Sequence, residues 1–179
     1  MAIDWRELAN QVGDLNPDGS EKGNGTESGR RALEITIGKE NIRGAVDHWT
    51  SHGPGAFTAE KALIIISSTV AMERCYEIYK GDPASYRAAA AVFLLSEMAD
   101  ERVLPWVREF LDDDNEGHRW NGLMALRMIL EGPLGDEEIA TAKKLLAKAE
   151  SDAGQRLRER AVEIRHQLAS DPRLGHLKL

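Results

Sequence analysis

A chain of 179 residues is long enough for one domain of ordinary size with a sizeable helical core, and too short for two full ones. Charged residues make up 30% of it and the formal net charge is −7, which disfavours nucleic-acid backbones and anionic lipids as partners and favours a basic protein. One cysteine, Cys75, excludes an internal disulfide or a thiolate metal cluster and reads as a buried, inert thiol.

Ala, Leu, Glu and Arg recur throughout, and such residues lose little on entering a helix, so helix is expected over sheet. The start, Met1 to Arg6, has no positive n-region leading into an apolar stretch. The most apolar run, Ala62 to Ile66, is far below membrane-spanning length, so a soluble, cytoplasmic protein is expected.

In chain order, a short amphipathic segment, Ile3 to Val12, precedes a run of turn-formers from Gly13 to Gly29 that reads as a flexible connector. Ser28 is placed to cap a helix opening at Arg30, which carries Leu33, Ile35 and Ile37 and ends at Gly38. A further helix is expected over Glu40 to Ser51, broken by His52-Gly53-Pro54-Gly55. From Phe57 the text is almost continuous helix, interrupted at Gly81 to Pro83, Asp112 to Asn115, Glu131 to Gly135 and Ser151 to Gly154. Val103, Leu104, Val107, Phe110 and Leu111 form one apolar stripe, and Leu123, Leu126, Ile129 and Leu130 another, with Met124 and Met128 beside it. The tail, Asp171 to Leu179, contains Pro172 and Gly175 and is expected to fray. The division implied is 1–29 as helix and connector, 30–170 as a helical repeat domain, and 171–179 as tail.

A shift of 32 residues lays Ala71 to Asp82 over Val103 to Asp114 and carries Arg87 onto Arg119. The pattern of a bulky residue, Arg, two variable positions and a small residue appears as Tyr86-Arg87…Ala90, His118-Arg119…Gly122 and, 39 residues further on, Leu157-Arg158…Ala161. This resembles the HEAT repeat family, in which helix A carries a proline near its start, an Asp lies in the turn, and helix B opens with Val-Arg before small residues. Val103 to Ile129 matches best, with Pro105, Asp113 and Arg119 in position, while Tyr86 and His118 depart from the usual Val. The resemblance covers roughly the last 110 residues and implies a right-handed all-α solenoid of stacked antiparallel helix pairs, with Ala88 to Ala91 letting helices approach closely. It also implies a structural Asp–Arg ladder drawn from Asp82, Asp114, Arg87, Arg119 and Arg158.

Catalytic and metal chemistry find little support. Asp14, Asn16, Asp18 and Gly19 copy the first half of a calcium loop, but Gly25 stands where the closing Glu is needed and Glu21 where an apolar residue is usual. His48 and His52 have the spacing of two metal ligands on one helix face, without an accompanying carboxylate and with Gly53-Pro54 ending the helix there. A HEAT-like DNA base-excision enzyme would have to conscript Trp106, Trp120 and Asp113, against an acidic total and without a basic stripe. The expectation is therefore a non-enzymatic chain with no cofactor and no metal, which binds a protein.

Its sharpest form is a bacterial immunity protein that neutralises a basic toxin. A general scaffold or assembly factor, resembling the HEAT-like subunits that help attach bilins to antenna proteins, is the alternative, and the base-excision enzyme a further one. The residues assigned to partner binding are Trp120, Met124 and Arg127 as an anchor on one helix, with Asp112, Asp113 and Glu116 as an attracting rim.

Overall fold

The computed structural model describes residues 3–22 and 25–177; the first two residues, Gly23 and Asn24 of the expected connector, and the last two of the expected tail lie outside the described residues. The described chain is helical, with ten α-helices, two short 3-10 turns and one isolated bridge between Leu15 and Glu21. It divides into two compact units, residues 1–74 and 75–179.

In the first unit, α1 (Trp5–Gln11) is capped by Asp4, whose carboxylate accepts from the amides of Arg6 and Glu7. Residues 13–22 form a hydrogen-bonded turn in which Asn16 N donates to Ser20 O at 2.8 Å and Lys22 N to Asp14 O at 2.7 Å. Within it, Asp18 accepts from both the amide and the hydroxyl of Ser20, at 2.9 and 2.6 Å, so the half calcium motif closes on itself as a turn. Helix α2 runs Gly25–Ile37, beginning at Gly25 rather than at Arg30, so Ser28 lies inside it and is buried instead of capping it. Gly38, at φ +85°, ends α2 as expected and leads into α3 (Lys39–Ser51), since only glycine takes that backbone without a Cβ penalty. His48 Nε2 lies 2.9 Å from Pro54 O and His52 Nδ1 3.0 Å from Trp49 O, so both imidazoles fasten the break before α4 (Ala56–Ile66). Ile42, Val46, Trp49, Ala56 and Leu63 are buried.

Sequence reasoning missed two breaks, one after α4 and one before residue 104. At the first, Ser67 turns left-handed at φ +46°, and Ser68 Oγ caps the amides of Val70 and Ala71 to start α5 (Thr69–Gly81). At the second, Asp100 caps a 3-10 turn over Glu101–Val103. Neither carries glycine or proline; side-chain oxygens bonded to nearby amides supply the stop instead.

The second unit is built of helix pairs. The end of α5 packs on α7 (Leu104–Leu111) through Tyr76 against Trp106 and Tyr79 against Phe110; after α6 (Tyr86–Met98), α7 pairs with α8 (Glu116–Glu131), and α9 (Asp136–Ala149) with α10 (Gln155–Ser170). Helix α8 packs beside α6 on one side and α10 on the other, and α7 packs beside α9, which gives the two layers of an all-α HEAT-like solenoid. Pro105 stands at the start of α7, where its missing amide costs nothing. Ala88, Ala90 and Ala91 are buried, and a Cβ on Gly122 would stand 2.8 Å from Phe110 Cβ, so the small residues of the repeat are where helices approach closest. The tail is tied down through residue 177, contrary to the frayed end expected. Residues 172–177 form a 3-10 turn, Leu177 is buried, and Lys143 Nζ donates to its carbonyl at 3.0 Å.

Candidate functional site

Two turns of the second unit repeat the same construction at a shift of 39 residues. In the first, Asp113 accepts from the amide of Asn115 at 2.8 Å, and Arg119 Nη1 donates to the carbonyls of Asp113 and Asp114 at 3.0 and 2.9 Å. In the second, Asp152 accepts from the amide of Gly154 at 2.7 Å, and Arg158 donates to the carbonyls of Asp152 and Ala153 at 2.5 and 2.8 Å. Arg119 Nε, donating to Asp152 Oδ2 at 2.9 Å, joins the turns into a ladder. The carboxylate that joins the turns is thus Asp152, with Asp113 its equivalent in the preceding turn, a correction to the expected Asp82 and Asp114. Asp114 supplies only its carbonyl, and Asp82 aligns with Asp114, which leaves Gly81 at the position of Asp113.

Around Asp113 the packing is polar and tight. Tyr79 OH donates to its Oδ2 at 2.8 Å, and Nδ1 of the fully buried His118 lies 3.2 Å from the same oxygen, near in distance though off-line for a hydrogen bond. Burial alone would raise this carboxyl, but the Asn115 amide, the Tyr79 hydroxyl and the His118 ring outweigh it and hold the pKa below the usual range. Asp113 is therefore consumed inside the repeat and leaves the rim to its neighbours. Nearby, Tyr76 stacks on Trp106 with centroids 4.5 Å apart and donates to Glu109 at 2.7 Å; burial and then that carboxylate push the phenol up to about 12.

The outward face of α8 gathers most of the other residues assigned to binding. Glu116, Trp120, Met124 and Arg127 follow one another at steps of four, four and three, which puts them on one side of the helix. Leu123 and Leu130 beside this face, and Leu126 and Ile129 further round the helix, are buried. Met128, not assigned from the sequence, adds an exposed side chain to the same face. Arg127 pairs with Glu131 at 2.9 Å. Asp112, in the turn before α8, is paired with Lys148 and lies 3.8 Å from Arg108. Trp120 lies beneath Arg156 of α10, whose guanidinium carbon is 4.4 Å from the ring centroid. The repeat held a signal for this contact: the shift of 39 sets Arg156 against Gly117, one turn from Trp120.

Of the trio a base-excision enzyme would need, Trp106 stacks on Tyr76, Trp120 lies under Arg156, and Asp113 is engaged in its turn. No group of three or more His, Cys, Asp or Glu that could hold a metal occurs among the described residues. Among those residues, likewise, no helix is long and apolar enough to cross a membrane.

A family model described as HEAT repeats matches residues 73–164, just over half of the chain. No curated protein and no solved structure matches it. The matched span holds the helix pairs, the ladder and the outward face of α8 described above, and the chain belongs to the HEAT repeat family.

Proposed function

We propose that this chain is a non-enzymatic binding module whose repeats hold a basic protein partner against the outward face of α8. The observation that carries the reading is that face itself, where Trp120, Met124 and Met128 form an amphipathic strip with Glu116 at one end. Aromatic, Met and Arg side chains are the types enriched where binding energy concentrates, and carboxylates at a rim raise the rate at which a cationic partner arrives. The net charge of −7 acts in the same direction over longer range.

In its sharpest form the module is an immunity protein, and the partner a cationic toxin that attacks nucleic acid. A basic surface evolved to grip phosphate is complementary to an acidic blocker, so one negative face both captures the toxin and covers its site. Affinity capture from the native host at low and moderate salt tests this. One dominant basic, nucleic-acid-degrading partner, whose activity falls on stoichiometric addition of this chain, is the expected result. A neutral or acidic partner overturns the toxin reading and leaves a scaffold, and co-purifying DNA with no protein overturns both.

A further inference from the structure

We infer that the indole face of Trp120 is a receiving surface for an arginine of the partner, held in the unbound protein by this chain's own Arg156. The inference rests on the binding-module reading and adds the chemistry of the contact.

Arg156 differs from the other arginines of this region. Arg119, Arg127, Arg160 and Arg165 each hold a carboxylate, and Arg158 holds two carbonyls. Arg156 is exposed, and no carboxylate among the described residues pairs with it; its recorded contact is the Trp120 ring, at 4.4 Å. Trp120 is half-buried, and with no carboxylate to fix it Arg156 is held there by a single modest guanidinium–ring contact, so it can be displaced by another of the same kind. Its presence shows that the ring face accepts a planar cation in that direction and at that depth.

The second element is Glu116, one turn before Trp120 on α8. It is exposed and has no ion-pair partner among the described residues. Its Oε1 lies 4.0 Å from where a Cβ on Gly154 would stand, and Gly154 caps α10 two residues before Arg156. Carboxylate, ring and resident arginine therefore share one end of the α8–α10 face, yet the arginine lies on the ring and leaves the carboxylate unpaired. An incoming arginine gains both, stacking on the indole and pairing with Glu116, whereas Arg156 gains only the first. Arginine fits better than lysine here because a planar, weakly hydrated guanidinium stacks where an ammonium does not.

The experiment uses the full chain and an Arg/Ala/Leu helical model peptide, with versions carrying Lys or Glu in place of Arg as controls, read by anisotropy of a labelled peptide. The wild type should bind the Arg version most tightly and the Glu version least. Arg156→Ala, by removing the internal competitor, should tighten the Arg peptide by about two- to fivefold. Trp120→Ala should abolish that gain, and Glu116→Gln should weaken binding and flatten its salt dependence, with circular dichroism confirming that each variant stays helical. Unchanged or weaker binding by Arg156→Ala, equal binding of the Glu peptide, or no saturable binding of any peptide overturns the inference. A partner captured from the host that still binds when Trp120 and Glu116 are replaced would sink this contact while leaving the binding-module reading in place.

Discussion

Replacing Arg119 by Ala removes a side chain that ties the turn of the α7–α8 pair to that of the α9–α10 pair. It donates to Asp152 at 2.9 Å and to two carbonyls of its own turn, with side-chain exposures of 16% for Arg119 and 10% for Asp152. Losing one partner of a buried pair costs about 3 to 5 kcal/mol, because the remaining charge stays desolvated. Here water reaches both groups slightly, and the Gly154 amide still serves Asp152, so about 2 to 4 kcal/mol is the reasonable range. In urea unfolding followed by far-ultraviolet circular dichroism, that appears as a lower midpoint with the slope unchanged. Arg119→Lys keeps the charge but cannot span the carboxylate and both carbonyls at once, and should recover less than half of the loss. A loss below about 1 kcal/mol for Arg119→Ala, or full recovery by Lys, would refute the ladder as a structural tie.

Two glycine substitutions should act with opposite signs. Gly122→Ala gains about 1 kcal/mol of helix propensity but drives a Cβ to 2.8 Å from Phe110 Cβ, and overpacking of about 1 to 3 kcal/mol should leave it destabilised. Gly44→Ala, in α3 with nothing within 4 Å, should stabilise by about 0.5 to 1 kcal/mol; thermal melts that rank the two the other way would contradict the packing described. Because the Asp113 pKa is lowered on folding, its contribution to stability is complete above the unfolded value of about 4 and is lost as pH falls through the folded value. Asp113→Asn should therefore cost about 1 to 3 kcal/mol at neutral pH and shrink the acid-side loss below about pH 4, as read from unfolding midpoints across pH; an unaltered acid limb would count against the assignment.

The helix pairs were readable because their apolar stripes follow the helical period and because Pro105, the Arg-x-x-small pattern and the turn acids recur with the repeat. The breaks at Ser67 and Asp100 were not, since a serine or aspartate within an apolar run signals a stop only when its oxygen reaches an amide, which composition does not reveal. The Asp of the ladder was misplaced by one residue for a related reason: Asp112, Asp113 and Asp114 are identical as letters, and only the turn decides that Asp113 points inward to Tyr79 while Asp112 meets Lys148. The face of α8 was readable from spacing, as Glu116, Trp120, Met124 and Arg127 share one side of any helix drawn through them. Its covering by Arg156 came from the neighbouring pair and required the period of 39 to be followed to its consequence.

The affinity of the captured partner for the wild type and for Trp120→Ala, with helicity checked on both, most directly tests whether the outward face of α8 is where this protein binds. A loss of about tenfold or more at unchanged helicity is the expected result; equal affinity would remove Trp120 and the α8 face from the interface.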